Sequence, residues 1–156
     1  MNPVFESLQP AAVWAHFDTL CRIPRPSKQE AALRAHLAQW AQAQGLSHQV
    51  DAAGNLLVRK PASPGCEGRP GVVLQGHLDM VCQKRADSTH DFHKDPIQPE
   101  LEDGWLIAKD TTLGADNGMG VALLYSGVNG NGYRQSNNGN DIDDVILKTH
   151  WAPTDV

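Results

Sequence analysis

At 156 residues the chain has the length of one ordinary domain, and 13 Lys and Arg against 18 Asp and Glu leave a net charge of −5. With no basic block, a nucleic-acid surface built on phosphate contacts is disfavoured. The opening MNPVFESLQPAAVWAHFDTL lacks the basic start and unbroken apolar segment of a secretory signal, and no stretch reaches membrane-spanning length, so a soluble, cytoplasmic protein without a membrane partner is expected.

Residues 8–20 place Trp14, Phe17 and Leu20 or Cys21 at helical intervals, with Pro10 early and Pro24 beyond the end, which predicts a first amphipathic helix. In RPSKQEAALRAHLAQWAQAQG, Ser27 and Glu30 fit an S-x-x-E capping box, Leu33, Leu37 and Trp40 form one stripe, and Gly45 can supply a left-handed stop. HQVDAAGNLLVRK then reads as two short strands around the turn signal at Gly54 and Asn55, and PASPGCEGRP as an exposed connection. The run VVLQ has no polar face, as in a strand covered on both sides, so His77 is expected just past the carboxyl end of a central strand in an α/β sheet.

After a polar loop, WLIAK predicts another strand, and TTLGADNGMGVALLYSG predicts a helix beginning near Gly118 and capped by Asp116 or Asn117. From Gly127 the segment GVNGNGYRQSNNGN holds five Asn and four Gly with no apolar stripe, which reads as a linker or disordered tail. The chain therefore divides at 126 into a folded part, 1–126, and a divergent tail, 127–156, in which DVIL is one weak strand. Cys21, Cys66 and Cys82 are odd in number and widely spaced, as scattered reduced thiols are.

Residues two apart on a strand project to one side, so His77 and Asp79 of GVVLQGHLDM can face one pocket. A carboxylate beside an imidazole holds the ring and raises its basicity, which suits metal ligation. H-x-D alone is a weak signal, because polar residues at strand ends are usually solvated or hydrogen-bonded. TTLGADNG adds a second acidic position, Asp116, among small residues that let the backbone pack closely; taken alone, it reads as a capped turn. His90 and His93 lie in a Lys- and Asp-rich loop and read as surface or structural histidines, as do His16, His36, His48 and His150 taken singly. The glycines at 114, 118 and 120 form neither a dinucleotide fingerprint nor a phosphate loop.

Together, VVLQGHLDMV, HDFHKDPIQP and TTLGADNGMG, with IPRPSKQE and DAAGNLLVRKPA, resemble the amino-terminal part of the aminoacyl-histidine (Xaa-His, cytosol non-specific) dipeptidases, within the two-zinc aminopeptidases and carboxypeptidases. The resemblance covers roughly residues 8–122. It implies a partial two-zinc peptidase catalytic domain: a mixed sheet flanked by helices, acting on short peptides or dipeptides and often homodimeric. It makes His77 a zinc ligand, Asp116 the carboxylate bridging two zincs, and Asp79 the catalytic carboxylate that orients the His77 ring; the peptide bond between Asp116 and Asn117 is expected to be cis. Two zincs, with manganese or cobalt as alternatives, clamp the scissile carbonyl and bring the pKa of a bound water towards about 7.

The family also uses a Glu-Glu pair, a further acidic ligand and a distant histidine. Asp143 and Asp144 lack the apolar strand and the Gly-rich segment that flank that pair, and His150 lies too close. A truncated or frame-disrupted relative, inactive by itself, is therefore expected. The alternatives are a non-catalytic α/β fragment that binds a metal weakly or docks on a partner through uncovered sheet edges, and an unstable product without function.

Overall fold

The computed structural model describes residues 1–128 and, as backbone, the strand at 141–148. A 3₁₀ turn at Pro3–Phe5 leads into helix α1, Ala11–Arg22, with Pro10 as its extended N-cap residue. Val13, Phe17, Leu20 and Cys21 form its buried face, and Trp14 is half-buried at the margin, in edge-to-face contact with Phe17. Helix α2, Ala31–Ala43, buries Leu33, Leu37 and Ala41 and ends as predicted at Gly45, with φ of 72°. There Leu46 donates its N–H to the Ala41 carbonyl and Gly45 donates to that of Gln42, the paired arrangement of a Schellman stop.

The predicted capping box does not form. Ser27 donates its hydroxyl to Asp79 Oδ2, far along the chain, and Glu30, itself at the N-cap, makes no side-chain cap and accepts from the Lys28 N–H. Lys28 has a φ of 71°, so segment 27–30 turns before α2 begins and does not lead straight into it.

Strands β1, Ser47–Val50, and β2, Leu56–Arg59, make the expected antiparallel hairpin, tied by the Asp51 carboxylate, which accepts from the Asn55 backbone and side chain. Strand β3, Gly71–His77, follows the connection at 61–70. Strands β4, Pro99–Glu102, and β5, Trp105–Ala108, form a separate two-stranded ribbon turning at Asp103 and Gly104, both with positive φ. Helix α3, Ala115–Val128, packs on α1 and on β3, and strand β6 is Asp141–Lys148.

The larger sheet has the order β1-β2-β6-β3, with β6 antiparallel to β2 and parallel to β3. The core lies between this sheet and the helices: Phe17, Leu33, Leu37, Val121 and Ala122 meet Leu56, Val58 and Leu78. Within the segment read as a tail, residues 127 and 128 close α3 and the weak strand around DVIL is β6, inserted between two earlier strands; residues 129–140 and 149–156 lie outside the described residues. The expectation that β3 is central and covered on both faces is corrected. It is an edge strand among the described residues, and Val73 on its outer face is 59% exposed while α3 covers the inner one.

Candidate metal centre

Strand β3 delivers His77 as its last residue. Leu78 dives into the core and is fully buried, which turns Asp79 back to the side His77 occupies. The result is direct: His77 Nδ1 lies 3.0 Å from Asp79 Oδ1 and 3.2 Å from the Asp79 carbonyl. The other Asp79 oxygen accepts the Ser27 hydroxyl, so the carboxylate is held at both ends.

Asp116 arrives from the other direction. The start of α3 is not helical at Asp116 (φ −91°, ψ 111°) and Asn117 (φ −104°, ψ 28°), the peptide bond between them is cis, and regular helix begins at Gly118. This backbone carries the Asp116 carboxylate across to β3, where Oδ1 lies 3.1 Å from His77 Nε2. Close packing of small residues permits the approach. A Cβ on Gly76 would lie 2.7 Å from Asn117 Oδ1, and one on Gly120 would lie 2.5 Å from the same oxygen. That buried oxygen has no hydrogen-bond partner.

Two residues that sequence reasoning passed over complete the support. Arg25, 2% exposed, donates from Nη1 to the carbonyls of Leu78 (3.0 Å) and Asp79 (3.3 Å) and from Nη2 to the carbonyl of Gly114 (2.6 Å). Its own carbonyl accepts the Met80 N–H at 3.1 Å. Burial, the largest influence, pulls its guanidinium below the ordinary arginine value. Ser27 is the other; the signal available was an arginine set between Pro24 and Pro26 with a serine directly after, and the capping-box pattern claimed the serine.

Both ring nitrogens of His77 thus face carboxylate oxygens, whereas a neutral imidazole has one N–H. With Nδ1 donating to Asp79, the contact between Nε2 and Asp116 is matched by a second proton or by a cation. Two donors of a tetrahedral zinc, each about 2.0–2.1 Å from the ion, lie about 3.3 Å apart, close to the 3.1 Å seen here. The donor pair therefore fits a metal ion. It does not complete a site: no set of three His, Cys, Asp or Glu side chains among the described residues is placed to hold one ion.

The remaining candidates lie elsewhere. His93 Nδ1 is 2.8 Å from Gln29 Oε1, and the His90 ring packs edge-on against Phe92. His16 packs against Tyr125 and Trp40, and His36 and His48 are exposed on α2 and β1. Cys21 is buried in the core, with its pKa pushed up to about 12 by burial. His150 and the side chains of Asp143 and Asp144 lie outside the described residues.

No family model matches the chain. It is 50% identical over 115 residues to the cytosol non-specific dipeptidase of Escherichia coli (strain K12), a match covering 74% of this chain and 24% of that protein. Among solved structures, aminoacylhistidine dipeptidase from Vibrio alginolyticus matches with a TM-score of 0.87 at 43% identity, over 96% of this chain and 30% of the other. The chain is a relative of part of the aminoacylhistidine dipeptidases. It spans about a quarter to a third of the length of these dipeptidases. A tripeptidase from Staphylococcus aureus and aminopeptidase PepT from Bacillus cereus match at TM-scores of 0.63 and 0.64, with 18% and 19% identity, each over 87% of this chain and 35% of theirs, which is likeness of fold alone. Like its dipeptidase relatives, the chain builds a mixed α/β scaffold, and no helix among its described residues is long and apolar enough to cross a membrane.

Proposed function

We propose that this chain carries the first ligands of a two-zinc dipeptidase centre: His77 as a ligand of one ion, Asp116 as the carboxylate bridging two, and Asp79 as the catalytic-site carboxylate that orients the His77 ring. The observation that supports this most is the 3.1 Å approach of His77 Nε2 to Asp116 Oδ1, with Nδ1 already held by Asp79. Imidazole and carboxylate donors suit zinc, with manganese or cobalt as alternatives. Bound there, the metal supplies Lewis acidity, polarising a scissile carbonyl and acidifying water. The chain's own contribution is orientation. Asp79 fixes the tautomer that leaves the Nε2 lone pair towards Asp116, and Asp116, with its side chain 93% exposed, presents its carboxylate on the open side.

The substrate class in this reading is short peptides, in keeping with the names of the dipeptidase relatives, and dipeptides ending in histidine in particular; the setting is the cytoplasm. In this reading the chain by itself does not hydrolyse such substrates, because among the described residues the two ligands and their orienting carboxylate stand without a third ligand. The test is to titrate the chain with zinc and then supply a dipeptide ending in histidine. Metal binding that disappears in His77→Ala and Asp116→Ala, without release of free histidine, is expected. Chelator-sensitive cleavage restored by zinc would overturn the inactivity, and absence of metal binding would overturn the centre.

A second reading is favoured by the exposed outer face of β3: a non-catalytic α/β module that docks a protein through this sheet edge. A chain that stays monomeric at every concentration and captures no partner counts against it.

A further inference from the structure

Arg25 is a costly residue to bury. A guanidinium taken out of water needs its donors matched, and an apolar side chain of similar volume would avoid the penalty. Its Nη donors go to three backbone carbonyls drawn from two segments that meet only in the folded chain: Leu78 and Asp79 on one side, Gly114 on the other. Leu78 directly follows His77, and Gly114 stands two residues before Asp116. The rigid planar fork therefore fixes the distance between the backbones that carry the two ligand side chains.

The surrounding chain is cut to fit this fork. A Cβ on Gly114 would sit 2.6 Å from Arg25 Nη2, and one on Gly118 would sit 2.7 Å from the same nitrogen and 3.0 Å from Phe17 Cε2. Both glycines leave the space that the guanidinium fills. The same short segment also grips the loop after β3 twice more, through the Arg25 carbonyl on the Met80 N–H and through the Ser27 hydroxyl on Asp79 Oδ2.

We propose that Arg25 is a positioning residue that sets the approach of His77 to Asp116, by clamping the loop after β3 to the loop before α3. This rests on the metal-centre reading above and deepens it. A lysine does not substitute, because an ammonium is a point donor that cannot span both loops in one plane.

The experiment uses the full chain and two readouts. One is cobalt affinity, followed by visible absorption. The other needs no metal: side-chain ¹⁵N NMR of the His77 ring at about pH 8.5, where an ordinary imidazole is neutral and the signals report which nitrogen carries the proton. Arg25→Lys and Gly118→Ala are expected to keep the far-ultraviolet spectrum, to weaken cobalt binding about 10- to 100-fold, and to move the ring signals away from the Nδ1-protonated pattern. Leu37→Ala, a core variant remote from the clamp, is expected to lower the melting temperature while leaving both readouts unchanged. Wild-type affinity and ring signals in Arg25→Lys would overturn the proposal, as would an equal loss in Leu37→Ala. If Arg25→Lys unfolds, Gly118→Ala, which displaces the guanidinium without removing its charge, decides. If the wild-type chain binds no cobalt yet its ring signals respond to Arg25→Lys, the metal reading fails and the clamp stands.

Discussion

Asp79 and Asp116 face the same imidazole from opposite edges, and their surroundings give them different roles. The Asp79 side chain is 13% exposed with both oxygens engaged, so it is a fixed acceptor. Asp116 contacts His77 through one oxygen and is otherwise open, which leaves the other free for an ion or a substrate. Replacing Asp79 by Asn keeps the shape but removes the ionised acceptor at Nδ1. The expected result is zinc affinity lowered about 10- to 100-fold with the fold intact. Calorimetric titration checks it, and unchanged affinity would show that the ring is oriented by something else. At this scale much was legible beforehand. Period-two geometry put His77 and Asp79 on one side, and the small residues around Asp116 announced close packing, which the contacts at Gly76 and Gly120 bear out. Arg25 and Ser27 were not legible, because their partners lie more than 50 positions away and a local capping pattern offered the serine a plausible use.

The helices show how a stripe read from sequence becomes a packed layer with a pH dependence. His16 on α1 lies 4.9 Å from the Tyr125 ring on α3 and 6.1 Å from Trp40 on α2, measured between ring centroids. Burial first, and the nearby His36 second, lower its pKa from the usual 6.5. The folded state thus disfavours the protonated ring more than the unfolded chain does. Stability from this contact is fully present above about 6.5 and is lost as pH falls from there through the folded value. Urea midpoints measured between about pH 7.5 and 5 are expected to fall more steeply for the wild-type chain than for His16→Gln, and parallel curves would exclude the effect. Element ends depended on different physics. Gly45 stopped α2 where predicted because a left-handed residue is a local requirement, whereas the start of α2 shifted because Ser27 found a tertiary partner.

Across the whole molecule, β1 and β3 end the larger sheet among the described residues, and Val73 on β3 points outward. Exposed apolar edges invite pairing with another chain. Val73→Lys is expected to change stability by no more than about 0.5 kcal/mol and to suppress concentration-dependent association, read by sedimentation velocity. Equal association in both proteins would exclude this edge as the contact. The sequence by itself determined the resemblance to the dipeptidases, the α/β class, the two main helical stripes and the hairpin, and it singled out His77, Asp79 and Asp116 as candidates. These rest on local spacing, turn chemistry and motif order, which a chain carries without knowing its fold. Only the tertiary structure decided that β3 is an edge strand among the described residues, that β6 enters between β2 and β3, and that Arg25 joins the loop after β3 to the loop before α3. An apolar run reads the same in the middle of a sheet or at its margin, and the partners of a buried guanidinium exist only once distant loops have met.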